Sequence, residues 1–240
     1  MMIGKIVRRI GSVMPTNALR CFALRMGGVR IGKASYIARG TKIGNDVRVG
    51  NFVKINENCV IGNNVSIGDE TKIGRGAQVG IDVKIGKKVI LSSNTNIANS
   101  SIGDGSFIEY GVIFTGFKKG KINIGNHCYI GIYGVLDWSG GIEIGNYVHI
   151  AGPSVGIWTH SSASQALAGD EILNQSRKKV APVKIEDYVY IGGNSTIYPG
   201  VKIDHHSIVL PNTAVNKKVD EYTMVGGTPA LTTPLQHHCK

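Results

Sequence analysis

Seven histidines are the residues of this 240-residue chain best suited to exchange a proton near neutral pH. His160 is set apart by its place. It closes the tripeptide Trp158-Thr159-His160 and is followed at once by SSASQALAGDEILNQSRKKVAP, residues 161–182, whose spacing matches nothing around it. A neutral imidazole can take the proton of a weakly acidic hydroxyl as that hydroxyl attacks an electrophile. Taken alone, a single histidine is ordinarily a surface or core residue, so the elements around it must carry the reading. No serine or cysteine has an identifiable activating partner, which disfavours a covalent intermediate. Cysteines 21, 59, 128 and 239 lack metal-finger or CxxC spacing, and together with the lack of a long apolar segment or signal peptide this predicts a reducing, cytoplasmic setting.

The surrounding chain is periodic. From Ile31, steps of six meet Ile37, Ile43, Val49, Ile55, Ile61, Ile67, Ile73, Val79, Ile85, Leu91 and Ile97, an unbroken aliphatic series. Four residues after each, the side chain is small or β-branched nearly throughout, as at Ser35, Thr41, Val47, Cys59 and Ala77. The register slips between Ile97 and Ile102, is interrupted near 116–122, shifts by two residues before Ile144, and is restored from Ile185 to Val215. A period of six fits neither a helical stripe nor plain strand alternation. It fits a short strand followed by a turn, stacked so that the aliphatic residues fill a narrow core, with three hexads to a coil.

Ile-Gly pairs at 31, 43, 61, 67, 73, 85, 102, 124, 130, 144 and 191, each followed by a small residue at the fifth place of the repeat, resemble the hexapeptide-repeat acyltransferases. The resemblance implies an all-β fold, a left-handed parallel β-helix, although parallel crossovers are otherwise right-handed. The chain then divides into a basic helical cap at 1–28, a β-helix at 29–216 with an extruded loop at 161–182, and a closing segment at 217–240. The closing Val225-Gly-Gly-Thr-Pro-Ala230 resembles that family's Gly-x-Pro-Ala ending, but Leu231-Thr-Thr stands where a basic residue is usual.

In sugar O-acetyltransferases of the family, a Thr/His segment, a loop and an Ile-Gly…Pro-Gly-Val run occur in this order, here Thr159-His160, 161–182 and 191–201. By that resemblance His160 is the catalytic base. Tyr133, Asp137 and Trp138 fall near acceptor contacts, Trp138 as a stacking platform, and His149 is expected to line the same groove. Gly193, Pro211 and Asn216 match positions along the pantetheine arm of acetyl-CoA, and Lys217 and Lys218 are candidates for its phosphates. The resemblance further implies direct transfer from acetyl-CoA to a sugar or cell-surface polysaccharide, backbone N–H donors to the developing oxyanion, no metal, and a homotrimer with the cofactor groove between subunits.

Other readings stay open: N-acetylation of a nucleotide-linked amino sugar, a zinc hydratase using His127, His149 and His160, and a purely structural prism. The formal charge of +11 favours anionic partners. Much of it sits just before the core residues, at Arg30, Lys42, Arg48, Lys54, Lys72 and Lys84, which fits either solubility or an anionic glycan. No aromatic-basic module points to nucleic acid. Ile3, Ile6, Val7 and Ile10, with Lys5, Arg8 and Arg9 between them, predict a short basic amphipathic helix. It suits a cap over the open core or a peripheral contact with an anionic membrane, at the inner face of the cell membrane.

Overall fold

The computed structural model describes residues 2–117, 120–171, 178–228 and 231–234. Cys239 and the Pro229-Ala230 pair lie outside them. The chain winds as a left-handed parallel β-helix with three faces. The first face begins at Arg30–Ile31, the second at Tyr36–Ile37 and the third at Lys42–Ile43. Arg30 pairs with Arg48, Tyr36 with Lys54 and Lys42 with Val60, so a regular coil is three hexads. The second residue of each short strand turns inward. Ile55, Ile61, Ile73, Leu91 and Ile130 are at most 1% exposed, each burial stabilising by about 1.5–3 kcal/mol.

The edges need sharp turns, and these use the left-handed backbone region. Asn58, Asn64 and Asp82 sit there with φ of 58°, 55° and 54°, a conformation that short polar side chains tolerate. The glycine after the core residue meets a different demand. A Cβ on Gly125 would lie 2.4 Å from the carbonyl oxygen of Gly145 in the next coil.

The larger irregularities of the repeat share one edge, while a single extra residue between Ile150 and Ile157 falls on another. The offset between stacked positions rises to 22 from Ser101 to Asn123, 20 from Asn123 to Glu143 and 41 from Asn146 to Asp187. The largest of these offsets fall where the third face turns into the first, between Thr115 and Ile122, Asp137 and Ile142, and Ile157 and Val183. Three successive coils therefore build outward at the same place.

Two helices cover the first coil where the sequence predicts one: α1 (Met2–Gly11) and α2 (Asn17–Met26). The orientation of α1 reverses the expected stripe, because Arg8 is buried while Ile6 and Ile10 are about half exposed. The open strands explain this. Arg8 donates to the carbonyl of Ile43, Arg20 to that of Ile37 and Arg25 to that of Ile31. One guanidinium thus satisfies an edge strand of each face, which otherwise would offer unpaired backbone groups. At the other end parallel pairing continues past 216, since Thr223–Gly226 lies beside Ile208–Val209 and pairs antiparallel with Leu231–Pro234.

Candidate active site

Leu136 points into the core as the repeat requires, but its successor is Asp137, where glycine commonly follows the core aliphatic. The carboxylate is wholly buried beneath the edge that carries the insertions. Its Oδ1 accepts from the Ser139 amide at 3.1 Å and hydroxyl at 2.5 Å. Its Oδ2 accepts from the Thr159 amide at 2.9 Å, lies 2.7 Å from the Thr159 hydroxyl, and is 2.6 Å from Nδ1 of His160. Burial by itself would raise this carboxyl, yet the hydrogen bonds from Ser139, His160 and Thr159 outweigh it and hold Asp137 below the usual carboxylate range.

An ionised carboxylate has no proton to give, so Nδ1 of His160 carries the hydrogen in this contact. In the neutral ring Nε2 then keeps its lone pair. The ring is partly exposed, at 23% of its side chain, and is held edge-on by Phe117 with ring centroids 4.8 Å apart. Trp158 stands perpendicular to it at 6.5 Å, and Lys178 lies 4.5 Å over Phe117. His160–Ser161 pairs antiparallel with Lys179–Val180, and α3 (Ala163–Leu167) follows. The loop expected at 161–182 therefore contains ordered structure at its base, and the imidazole sits on a strand rather than a free tip. This arrangement can hold one tautomer of histidine in one orientation, ready to remove a proton.

The other predicted residues scatter. Asp137 cannot meet an acceptor, since it is buried and both its oxygens are occupied; its place is behind His160. Trp138 is at the same edge, partly buried against the core. Tyr133 is half exposed at the edge between the second and third faces, with Tyr110 perpendicular to it at 5.6 Å. His149 does not share a groove with His160 in this chain. It points out from the second face, opposite that edge, between Tyr129 at 4.5 Å and Tyr190 at 5.4 Å, and burial lowers its pKa. His127 stacks on Tyr147 at a third location, so the three histidines of the zinc reading do not converge within one chain.

Gly193 is buried, and a Cβ there would lie 2.4 Å from the Gly152 carbonyl oxygen, so it serves close passage of coils. Pro211 is exposed across the third face from Asn216 and Lys217. These last two turn the same edge as His160, two coils further on, about 10 Å at the strand spacing. Lys218 bridges Asp204 at 3.0 Å and Asp220 at 2.7 Å, and those carboxylates raise its pKa. Its charge is already countered. Burial also pushes the thiols of Cys59 and Cys128 up, away from nucleophilic thiolate.

Sequence reasoning missed Phe117 and the partner of His160. Core residues such as Ile55, Leu91 and Ile203 are also followed by a residue other than glycine, so nothing in the spacing marked Asp137 as that partner. For Phe117 the only signal was its place beside an interruption of the repeat.

Comparison with known proteins adds two family matches: Bacterial transferase hexapeptide (six repeats) over residues 40–75, and Hexapeptide repeat of succinyl-transferase over 28–51 and 182–217. The bifunctional protein GlmU of Streptococcus pyogenes is 23% identical over 150 residues, 58% of this chain and 32% of that protein. The galactoside O-acetyltransferase of Lactococcus lactis is 26% identical over 132 residues, 55% of this chain and 61% of the enzyme. This chain thus spans about a third of the one relative and three fifths of the other. A solved structure of AntD, an N-acyltransferase from Bacillus cereus in complex with dTDP and coenzyme A, superposes with a TM-score of 0.52 at 26% identity, covering 71% of this chain and 86% of that one.

Proposed function

Because this chain carries the repeat and fold of the hexapeptide acyltransferases, we propose that it transfers an acetyl group from acetyl-CoA to a hydroxyl of a sugar or polysaccharide, with His160 as general base. The observation that carries this is the 2.6 Å contact between Asp137 and Nδ1 of His160 at the built-out edge. In this mechanism Nε2 takes the hydroxyl proton as the oxygen attacks the thioester carbonyl. The same proton passes to the sulfur as the carbon–sulfur bond breaks, releasing the thiol. Asp137 stays ionised and stabilises the imidazolium that forms between the two steps. Transfer is direct, in keeping with the raised pKa values of the buried thiols of Cys59 and Cys128.

The donor fits the outer surface of the third face in the last coils. Gly156, Thr196 and Ala214 succeed one another there, small enough for a pantetheine arm to lie close, with Pro211 and Asn216 bordering the strip. Lys217 is the better candidate for a phosphate than Lys218, whose partners compete with it. We assign Trp138 to the acceptor side, and Tyr133 to a contact across a neighbouring subunit of a homotrimer, since it lies on another edge from His160. The proposed setting is cytoplasmic; among the described residues no helix is long and apolar enough to cross a membrane.

A second reading, N-acylation of a nucleotide-linked amino sugar, is favoured by the likeness to AntD. Product chemistry decides between them. Incubation with acetyl-CoA and a panel of sugars, followed by mass spectrometry and mild alkali, should give an acetylated product that alkali cleaves. An alkali-stable product identifies an amide and overturns the O-acetyl reading.

A further inference from the structure

The cap that closes the first coil buries cations beside Cys21 and Leu24 and leaves much of its apolar surface outside. Its guanidinium groups Arg8 and Arg20 are buried against strand carbonyls, while Ile6, Ile10, Val13, Leu19, Phe22 and Met26 are 47–69% exposed. Helical spacing gathers all but Val13, which lies in the turn between the helices. On α1, Ile6 and Ile10 share a face with the exposed Lys5 and Arg9 along its border; on α2, Leu19, Phe22 and Met26 share a face. An apolar patch of this kind on a solvated surface marks contact with something else.

The charge of the chain says what that is. Residues 1–54 hold eleven of the 27 lysines and arginines and only one of the 16 acidic residues. This end therefore carries +10 of the formal +11, and everything beyond it is nearly neutral. Bulky apolar side chains flanked by cations, at the strongly positive end of an elongated molecule, are complementary to an anionic bilayer: the side chains enter the acyl boundary while lysine and arginine meet the headgroups. A second copy docked head-on against this end would set two such charges face to face, which like-charge repulsion opposes.

We propose that α1 and α2 form a docking surface for an anionic lipid bilayer, on which the prism stands end-on. The coil bearing His160 lies six strand spacings from the first coil on the first face, about 30 Å. The active edge is then held clear of the headgroups, within reach of a long glycan or a dissolved acceptor.

Flotation of the full chain with vesicles tests this. Wild type should float with phosphatidylcholine vesicles containing phosphatidylglycerol, be released by high salt, and stay behind with phosphatidylcholine alone. Both Phe22→Ser/Met26→Ser and Lys5→Glu/Arg9→Glu should reduce the bound fraction at least about tenfold, with circular dichroism melts and oligomer mass unchanged. Failure of wild type to float with the anionic vesicles, equal flotation with both lipids, or undiminished flotation of both variants overturns the proposal. A smaller particle for Phe22→Ser/Met26→Ser in sedimentation equilibrium would assign the patch to a second copy and overturn it as well.

Discussion

A carboxylate that receives Ser139, Thr159 and His160 at once is fixed in place before any substrate arrives. Replacing Asp137 by Asn sets an amide N–H₂ or a single oxygen against the Thr159 amide and the imidazole, all of which need acceptors. Asp137→Asn should lower kcat by about 10²–10⁴-fold with little change in KM for acetyl-CoA, read from steady-state thiol release. It should also cost about 1–3 kcal/mol at pH 7, seen by urea denaturation. The sign with pH follows from the depressed folded pKa of Asp137. Its contribution is complete above the unfolded carboxylate value of about 4 and is lost as pH falls through the lower folded one. The stability gap between wild type and Asp137→Asn should therefore shrink from pH 7 to pH 3. Of the proposed site, His160 was singled out by the resemblance of Thr159-His160 and the loop after it to the family's pattern. Asp137 was legible as present but not as its partner, since the two are brought together by stacking 23 positions apart, a relation that hexad counting blurs once insertions intervene.

Among elements, the hexad was readable almost coil by coil, because each core position is a short strand with one inward aliphatic residue and one outward residue. Ile130 is fully buried, so Ile130→Ala should cost about 2–5 kcal/mol by chemical denaturation. Gly125→Ala should also destabilise, by forcing coils apart where its Cβ would meet the Gly145 carbonyl oxygen at 2.4 Å. The second helix was not legible. Its buried side is Arg20, Cys21 and Leu24, a mixture without an apolar stripe, because a β-helix end asks its cap for hydrogen-bond donors as well as for cover. The ribbon at the base of the loop, His160–Ser161 with Lys179–Val180, was hidden for a similar reason: two paired residues on each side leave no periodic trace.

For the whole molecule, the larger insertions gathered at one edge and the net positive charge gathered at one end give a rod with a proposed site on its side and a charged end. The proposed donor strip follows that edge toward the C-terminal coils, so Lys217→Ala should raise KM for acetyl-CoA several-fold and leave kcat nearly unchanged, while Lys218→Ala, already countered by Asp204 and Asp220, should change KM less. The measurement that bears most directly on the account is acceptor-dependent thiol release from acetyl-CoA by wild type and His160→Ala, with calorimetry of acetyl-CoA binding to both. The account predicts turnover reduced by about 10²–10⁴-fold in His160→Ala with donor affinity retained. Equal turnover by the two proteins would contradict it.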